Sequence, residues 1–475
     1  MASLDRGVPD IRALKARLEE YDQGHVLRFW DRLTPDARRG LAAQLGALDL
    51  PALVRGYRST QRSEVTAAKN IEPPVVEALP DGGGDPARWA AACERGEEML
   101  REGRVALMVV AGGQGSRLGF DGPKGLYPLG PVTGRALFAL QAQRIRRLRE
   151  RTGAAIAWYV MTSEATDTAT RRAFAEAGYF GLPERDVFFL QQGMVASFDF
   201  EGRLILERTD RIFANPDGHG GSLTALLTSG ALDDMERRGI RSIVYYQVDN
   251  PLLALGDPAL LGFHALAGAE VSCKSLRKRE PGEKMGVFAR IDGRIGVIEY
   301  TEITPEQRDA RDERGGLVYD AGNLAVHVFE VDFVRRVAAE PERWLPWHAS
   351  AKKIPTVDPA GAALSPAEPN GLKLERFVFD ALRAAETVCI VEASRDEYGP
   401  VKNASGDDSP ESSRRALSQR YRRWIEDAGL RAPSPAHWIE IDESRISGPG
   451  DLRAPGISSI GDLPDHIHTR LGDDA

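Results

Sequence analysis

The sequence predicts an α/β fold in which helices cover a largely parallel sheet, and three observations lead to it. From about residue 88 onward, short apolar β-type runs alternate with helical stretches, the pattern of strands joined by helical crossovers. The run Val105 to Ala111 opens straight into Gly112, Gly113 and Gly115. Glycines after a strand let the backbone approach a ligand closely and expose successive N–H groups to it. A second apolar run, Val244 to Val248, ends in Asp249-Asn250, at the strand end where open α/β sheets bind their ligands.

Taken in order, the elements read as follows. Ile11, Leu14, Leu18 and Tyr21 recur at helical spacing behind Asp10, a candidate N-cap. A second helical stretch surrounds Val26 to Trp30, and a third follows Pro35. Residues 70–86, with PPVVEALPDGGGDP, form a Pro/Gly-rich connection. Strands are expected at Ala106–Ala111, Ala155–Thr162, Val187–Leu190, Ser242–Val248 and Glu270–Lys274, with helices at Ala136–Arg149 and Thr166–Ala177. Residues 285–303 offer two antiparallel strands joined at Asp292-Gly293. The charged segment 306–316 reads as a loop, as does the polar stretch 399–415, and a small region of weak pattern follows 416.

The 475 residues, 42% hydrophobic and 28% charged, suffice for two to four domains with sizeable cores. A net charge of −8 argues against a nucleic-acid partner, so local basic sites serve small anions. Cys93, Cys273 and Cys389 lie far apart without C-x-x-C spacing, which excludes a zinc ribbon or disulfide framework. No apolar run reaches the ~18 residues of a membrane span, and MASLDRGVPDIRALK has no apolar signal core. The expected setting is cytoplasmic, with no membrane partner, as a monomer or a dimer.

The stretch 109–130, VVAGGQGSRLGFDGPKGLYPLG, is the densest in chemistry. It fits neither a P-loop, which needs a Lys-Ser or Lys-Thr after the glycines, nor the G-x-G-x-x-G of dinucleotide folds, since Gly113, Gly115 and Gly119 are spaced one residue too far. Arg117 and Lys124 place positive charge where a polyphosphate would lie. Asp249 is the candidate ligand for Mg²⁺, a hard cation that takes one or two carboxylates and completes its shell with phosphate oxygens. A second Gly-rich loop, PDGHGG at 216–221, carries His219 beside Gly218. Its imidazole offers one donor and one acceptor, and a titrating role is not required of it. Glu299 and Asn323 are of the type that reads sugar hydroxyls. Lys373 precedes an amphipathic stretch read as a helix, and Lys402 stands in the polar loop. Taken singly, each of these reads more readily as a turn residue or a solvated surface charge than as a functional group.

Together the blocks are ordered as in a known family. The G-G-x-G-S-R-x-G-x-x-x-P-K run resembles the signature of uridylyl-transferring pyrophosphorylases. HVLRFWDRL (25–33), WYVMTSEAT (158–166), FLQQGM (189–194), PDGHGGSLTAL (216–226), VDNPL (248–252), MGVFARIDGRIGVIEYTEI (285–303), AGNLAVHVF (321–329), NGLKLERFVFDAL (370–382) and YGPVKNASG (398–406) extend the likeness over all but the last fifty or so residues. The chain thus resembles the eukaryotic-type UDP-N-acetylhexosamine (N-acetylglucosamine) pyrophosphorylases of the UDP-glucose pyrophosphorylase superfamily. The resemblance implies a Rossmann-like, GT-A-like nucleotide-diphospho-sugar transferase core with a mixed central sheet at 96–385, a small helical N-terminal domain at 1–95 and a small C-terminal domain at 386–475.

It also implies roles. Ala111, Gly112, Gly113 and Gln192 would hold uracil, with Gly218 on the nucleotide. Arg117, Lys124 and Lys402 would be the catalytic cations on the phosphates. Asp249 would hold Mg²⁺. Gly286, Glu299, Asn323 and His219 would face the sugar, and Lys373 would reach its phosphate. The implied reaction is UTP plus sugar 1-phosphate giving UDP-sugar plus pyrophosphate, with N-acetylglucosamine 1-phosphate the first choice of acceptor. One departure bears on the sugar. The N-acetylhexosamine enzymes usually carry G-N-G-G in the second loop and the glucose enzymes G-H-G-D, whereas this chain reads G-H-G-G. Glucose or galactose 1-phosphate is therefore the alternative acceptor, and a non-catalytic UDP-sugar-binding protein the alternative class.

Overall fold

The computed structural model describes residues 11–62 and 70–471. They fall into two compact units, one drawn from Met1–Ala68, Gly193–Thr224 and Glu340–Ala381, the other from Lys69–Gln192, Ala225–Ala339 and Leu382–Ala475.

The second unit is built on a ten-stranded mixed sheet. Its strands are β1 (Ile71–Glu72), β2 (Val105–Val110), β3 (Trp158–Thr162), β4 (Val187–Gln191), β5 (Ser242–Gln247), β6 (Val271–Arg277), β7 (Val287–Ile291), β8 (Arg294–Ile298), β9 (Ala321–Glu330) and β10 (Val388–Glu392). The main path runs β1-β7-β9-β5-β2-β3-β4, with β8 added to β7, and β6 pairing β9 and β10. β5, β2, β3 and β4 are mutually parallel, whereas β9 runs antiparallel to both β5 and β6. Trp158, Val160, Val105 and Val109 lie in one core with Phe138, Leu148 and Phe263, from helices Leu137–Thr152 and Pro258–Leu266. Parallel strands covered on both faces in this way read as continuous apolar runs, which is why their sequence signal is strong.

The expected hairpin is present as β7 and β8. Asp292 (φ 48°) and Gly293 (φ 84°) both take the left-handed conformation that a two-residue type I′ turn requires. Two segments expected as loops are corrected. Within 306–316, read as loop throughout, Pro305–Asp309 is a short helix. Thr304 accepts the Gln307 N–H, and the Gln307 side chain returns the bond to the Thr304 N–H, a complete capping box with Pro at its first position. Likewise the 399–415 segment stops being loop at Pro410. Ser409 caps an 18-residue helix, Pro410–Asp427, that continues well past 416. Its buried face of Leu417, Tyr421 and Ile425 repeats every four residues but is interrupted by five arginines, which hid the period. A hairpin of His437–Ile441 and Ile467–Leu471 completes the C-terminal end.

The first unit carries helices Ile11–Glu20, Pro35–Gly46 and Leu50–Arg62. The Asp10 cap falls outside the described residues. Between the first two helices, Val26–Trp30 forms two separate 3₁₀ turns, Gly24–Leu27 and Trp30–Arg32, in place of the expected helix. Leu14, Leu18, Leu41, Leu45 and Val54 make one core with Phe198, Leu204, Ile212 and Leu374. Two small strand pairs join this core: Met194–Ala196 with Ala214–Pro216, and Trp347–Lys352 with Gly371–Arg376. Among the described residues, no helix is long and apolar enough to cross a membrane.

Candidate active site

In the second unit, the C-terminal ends of β2, β3 and β4 lie side by side. Ala111 donates its N–H to the Met161 carbonyl (2.8 Å), and Ser163 Oγ donates to the Gly112 carbonyl (2.8 Å). Gln192, just past β4, reaches Gly112 so closely that a Cβ there would sit 2.2 Å from its Oε1. A side chain at 112 would push that amide aside, so Gly112 and Gln192 form one surface able to meet a flat polar ring. Gly113 is exposed, and its carbonyl accepts the Lys124 N–H (3.0 Å). The loop between closes on itself through Gly115 N–H to the Gly122 carbonyl (2.8 Å), around the edge-on pair Phe120 and Tyr127. Arg117 rides on the 3₁₀ turn Ser116–Leu118, exposed and without an ion pair among the described residues.

Asp249 follows β5, the parallel neighbour of β2. Its carboxylate Oδ2 receives Lys124 Nζ at 2.8 Å, and both side chains are more than four-fifths buried. The Asp249 carbonyl accepts the Val401 N–H (2.9 Å), and the Lys402 N–H donates to the Asp408 carbonyl (2.6 Å). Lys402 Nζ lies 3.8 Å from the Asp408 carboxylate and 5.8 Å from the Tyr398 ring centroid. Burial holds the Asp408 carboxyl above its ordinary range, eased by Lys402 and reinforced by Asp407, Asp249 and Glu283. The Tyr398 phenol is pushed up by burial and by Asp408 and Glu283. Asp408 and Tyr398 were not singled out from the sequence; the doubled Asp407-Asp408 just beyond Lys402 was the available signal.

A buried cation supports this strand end. Lys274 of β6 contacts Asp257 (2.7 Å) and Glu397 (2.5 Å); burial favours the neutral amine, but the two carboxylates outweigh it and hold it charged. Asn250 Nδ2 donates to the Glu397 carbonyl (2.8 Å), and Arg420, from the C-terminal helix, donates to the Leu252 carbonyl (2.5 Å). The chain leaving Asp249 is therefore pinned from two sides.

Gly286, Glu299 and Asn323 also come together in this unit. The Asn323 N–H donates to the Gly286 carbonyl (2.8 Å), and a Cβ on Gly286 would meet Val297 at 2.9 Å and Glu299 Oε1 at 3.2 Å. Asn323 Oδ1 accepts the N–H of Ala325, whose φ of 58° marks a local break in β9.

His219, Gly218 and Lys373 belong to the first unit. Gly218 (φ 85°) presses its backbone against Arg376, where a Cβ would lie 2.5 Å from the carbonyl oxygen. The loop is sewn to Arg376 by Gly220 N–H to its carbonyl and by its own N–H to the Asp217 carbonyl, both 2.8 Å. His219 Nδ1 accepts the Val378 N–H (3.0 Å), and its ring stacks on Phe377, which stacks in turn on His348. Burial, then the charge of His348, lowers the imidazole to about 4. It is neutral at physiological pH, with its proton on Nε2. Lys373 lies on the strand Gly371–Arg376, not before a helix: Leu372 and Leu374 alternate inward, and only a 3₁₀ run, Val378–Ala384, follows. Its Nζ is 5.0 Å from the Phe213 ring, and burial lowers it, opposed by Glu375 and aided by Lys352.

Asp217 has a distinct stability consequence. Its carboxylate is wedged against Gly193 and Gly221, Oδ1 has no hydrogen-bond partner among the described residues, and burial raises it to about 7 against the pull of Arg376. A carboxyl raised on folding costs stability as pH climbs from its unfolded value near 4 to about 7. Asp217→Asn should therefore stabilise the protein at pH 8 by up to about 4 kcal/mol, with the gain shrinking toward pH 5. Urea midpoints at the two pH values measure it, and a gain independent of pH would contradict the assignment.

Comparison with known proteins identifies the family. The family model for UTP–glucose-1-phosphate uridylyltransferase matches residues 59–436. The chain is similar to UDP-N-acetylhexosamine pyrophosphorylase-like protein 1 of Homo sapiens, at 39% identity over 88% of this chain and 86% of that one. It is 38% identical to the UDP-N-acetylglucosamine pyrophosphorylase of Saccharomyces cerevisiae, over 70% of this chain and 72% of that one. Among solved structures it resembles the uridine diphosphate N-acetylglucosamine pyrophosphorylase of Trypanosoma brucei, crystallised with an inhibitor. There the TM-score is 0.77 and the identity 29%, over 88% of this chain and 86% of that one.

Proposed function

Because this chain belongs to the UTP–glucose-1-phosphate uridylyltransferase family, we propose that it transfers uridylyl from UTP to N-acetylglucosamine 1-phosphate, releasing pyrophosphate. The observation that carries this reading is the juxtaposition of the Gly112–Gln192 surface with the Lys124–Asp249 pair, at the C-terminal ends of β5, β2, β3 and β4, which are consecutive in the sheet. The backbone at Ala111–Gly113 and the Gln192 amide take the uracil. Arg117, Lys124 and Lys402 face the phosphates, and Gly218 approaches the nucleotide. Gly286, Glu299, Asn323 and His219 take the sugar, with Lys373 toward its phosphate. A sugar-phosphate oxygen forms a bond to the α-phosphorus as the bond to pyrophosphate breaks, in line and without a covalent enzyme intermediate. The cations steady the charge on the transferred group.

A divalent cation fits this site through Asp249. No group of three or more His, Cys, Asp and Glu suited to a metal occurs among the described residues. Asp249 Oδ2 nevertheless already receives a cationic group, and a single carboxylate completed by substrate oxygens suits Mg²⁺. When bound, the ion would neutralise charge on the phosphoryl oxygens. Three free cysteines, two of them buried, agree with a reducing setting, and we place the reaction in the cytoplasm. The presence of Arg117, Lys124, Lys402 and Asp249 speaks against the non-catalytic alternative.

Pyrophosphate release from UTP across a panel of sugar 1-phosphates tests the proposal; release with none of them would overturn it. Glucose 1-phosphate remains the second reading because of His219, whose ring is fixed by Val378 and Phe377. An Asn side chain would offer an acceptor and a donor in one plane, better matched to an acetamido group. His219→Asn should raise the kcat/KM ratio of N-acetylglucosamine 1-phosphate over glucose 1-phosphate about tenfold, or ~1.4 kcal/mol. An unchanged or reversed ratio would move the choice of sugar to Glu299 and Asn323.

A further inference from the structure

The Lys124–Asp249 pair joins the residue assigned to the phosphates and the residue assigned to the metal. The carboxylate oxygen that would meet a divalent cation holds an ammonium at 2.8 Å, in a largely buried setting where charge pairing is weakly screened. A metal entering the free protein would have to displace that ammonium or share the carboxylate with it, and either arrangement sets two cations against one another. A triphosphate changes the balance, since it offers Lys124 several anionic oxygens at once. The lysine side chain, a point charge on a flexible stem, is suited to make that move. Its backbone need not follow: the Lys124 N–H stays tied to the Gly113 carbonyl at 3.0 Å, within the loop that would hold the nucleotide.

We infer that Lys124 is the counter-ion of Asp249 in the nucleotide-free protein and passes to the phosphates when the nucleotide binds, so that Asp249 takes up a divalent cation only together with the nucleotide. The carboxylate is neutralised in both states, by an ammonium in one and by a metal in the other. Neighbouring charges do not replace Lys124 in the free state. Lys402 leans toward Asp408 at 3.8 Å, and Arg117 lies exposed without an ion pair among the described residues. This inference rests on the uridylyltransferase reading of the same site and is measured independently of turnover.

The experiment is Mn²⁺ binding to the full-length protein without substrates, read from the paramagnetic resonance of the free ion. Wild type should bind Mn²⁺ more weakly than UTP itself does in the same buffer. Lys124→Gln should tighten Mn²⁺ binding by about tenfold, and Lys124→Arg, which keeps a cation on the carboxylate, should stay near wild type. Adding Asp249→Asn to Lys124→Gln should erase the gain. Three results would overturn the inference: wild type binding Mn²⁺ more tightly than UTP does, no gain in Lys124→Gln, or a gain that survives in the double variant. The first needs no variant and decides the matter if Lys124→Gln does not fold. Pyrophosphate release by the wild-type preparation is scored separately: its absence with every sugar 1-phosphate removes the functional reading, while the Mn²⁺ series still reports on the pair.

Discussion

Asp249→Asn should lower turnover roughly a thousandfold while leaving the protein folded, because a metal-held charge contributes several kcal/mol to a phosphoryl-transfer transition state. The fold tolerates the change. The amide oxygen can still accept from Lys124, and the backbone tie from Val401 N–H to the Asp249 carbonyl does not involve the side chain. Raising Mg²⁺ should recover little, because the lost group is a formal charge at the end of β5 and not a loosened loop. Steady-state pyrophosphate release over a Mg²⁺ series, with an unfolding curve alongside, measures the effect. Near-wild-type turnover with an unchanged metal requirement would remove Asp249 from the mechanism.

The second large effect is on stability. Lys274→Met should destabilise the protein by about 3–5 kcal/mol, the usual cost of leaving buried charges without their partner. The contacts make the case specific. Lys274 is the shared partner of Asp257 and Glu397, and Glu397 also accepts the Ala254 N–H and, through its carbonyl, the Asn250 amide. Removing the ammonium sets two carboxylates against each other beneath the chain that leaves Asp249. Neutralising them as well, in Lys274→Met/Asp257→Asn/Glu397→Gln, should restore most of the loss. The shift in urea midpoint decides it, and a single variant within about 1 kcal/mol of wild type would show that the carboxylates relax freely into solvent.

What was legible in the sequence follows from how each element is solvated. β2, β3 and β5 are buried on both faces, so their apolar runs stand out without periodicity, and the Asp292-Gly293 turn announces itself because few other dipeptides accept two left-handed residues. The capped helix at Pro305–Asp309 was missed although Thr304, Pro305 and Gln307 spell its cap, because the charged composition around it outweighed a three-residue signal. Lys373 was misplaced because the strand Gly371–Arg376 is short and its alternation runs directly into Phe377 and Val378. Gly112, Gln192, Asp249 and Glu299 could be proposed because each lies just past the end of an apolar strand. Lys274, Arg420 and Asp408 could not, since nothing local distinguishes a buried charge from a solvated one: Lys274 becomes buried only when β9 and β10 flank it.

The division of the chain has a consequence for its synthesis. The polypeptide passes from one unit to the other five times, and the first unit takes its pieces from before residue 69, from the middle, and from as late as Ala381. The helices Ile11–Glu20, Pro35–Gly46 and Leu50–Arg62 are therefore made long before Leu374, which belongs to their core. β4 is likewise made long before β10, the last strand of its sheet. The first unit can close only after most of the second has been made, and no single cut releases either as an unbroken fragment. Early helices with exposed leucines are the part of this protein that a nascent-chain chaperone would be expected to hold.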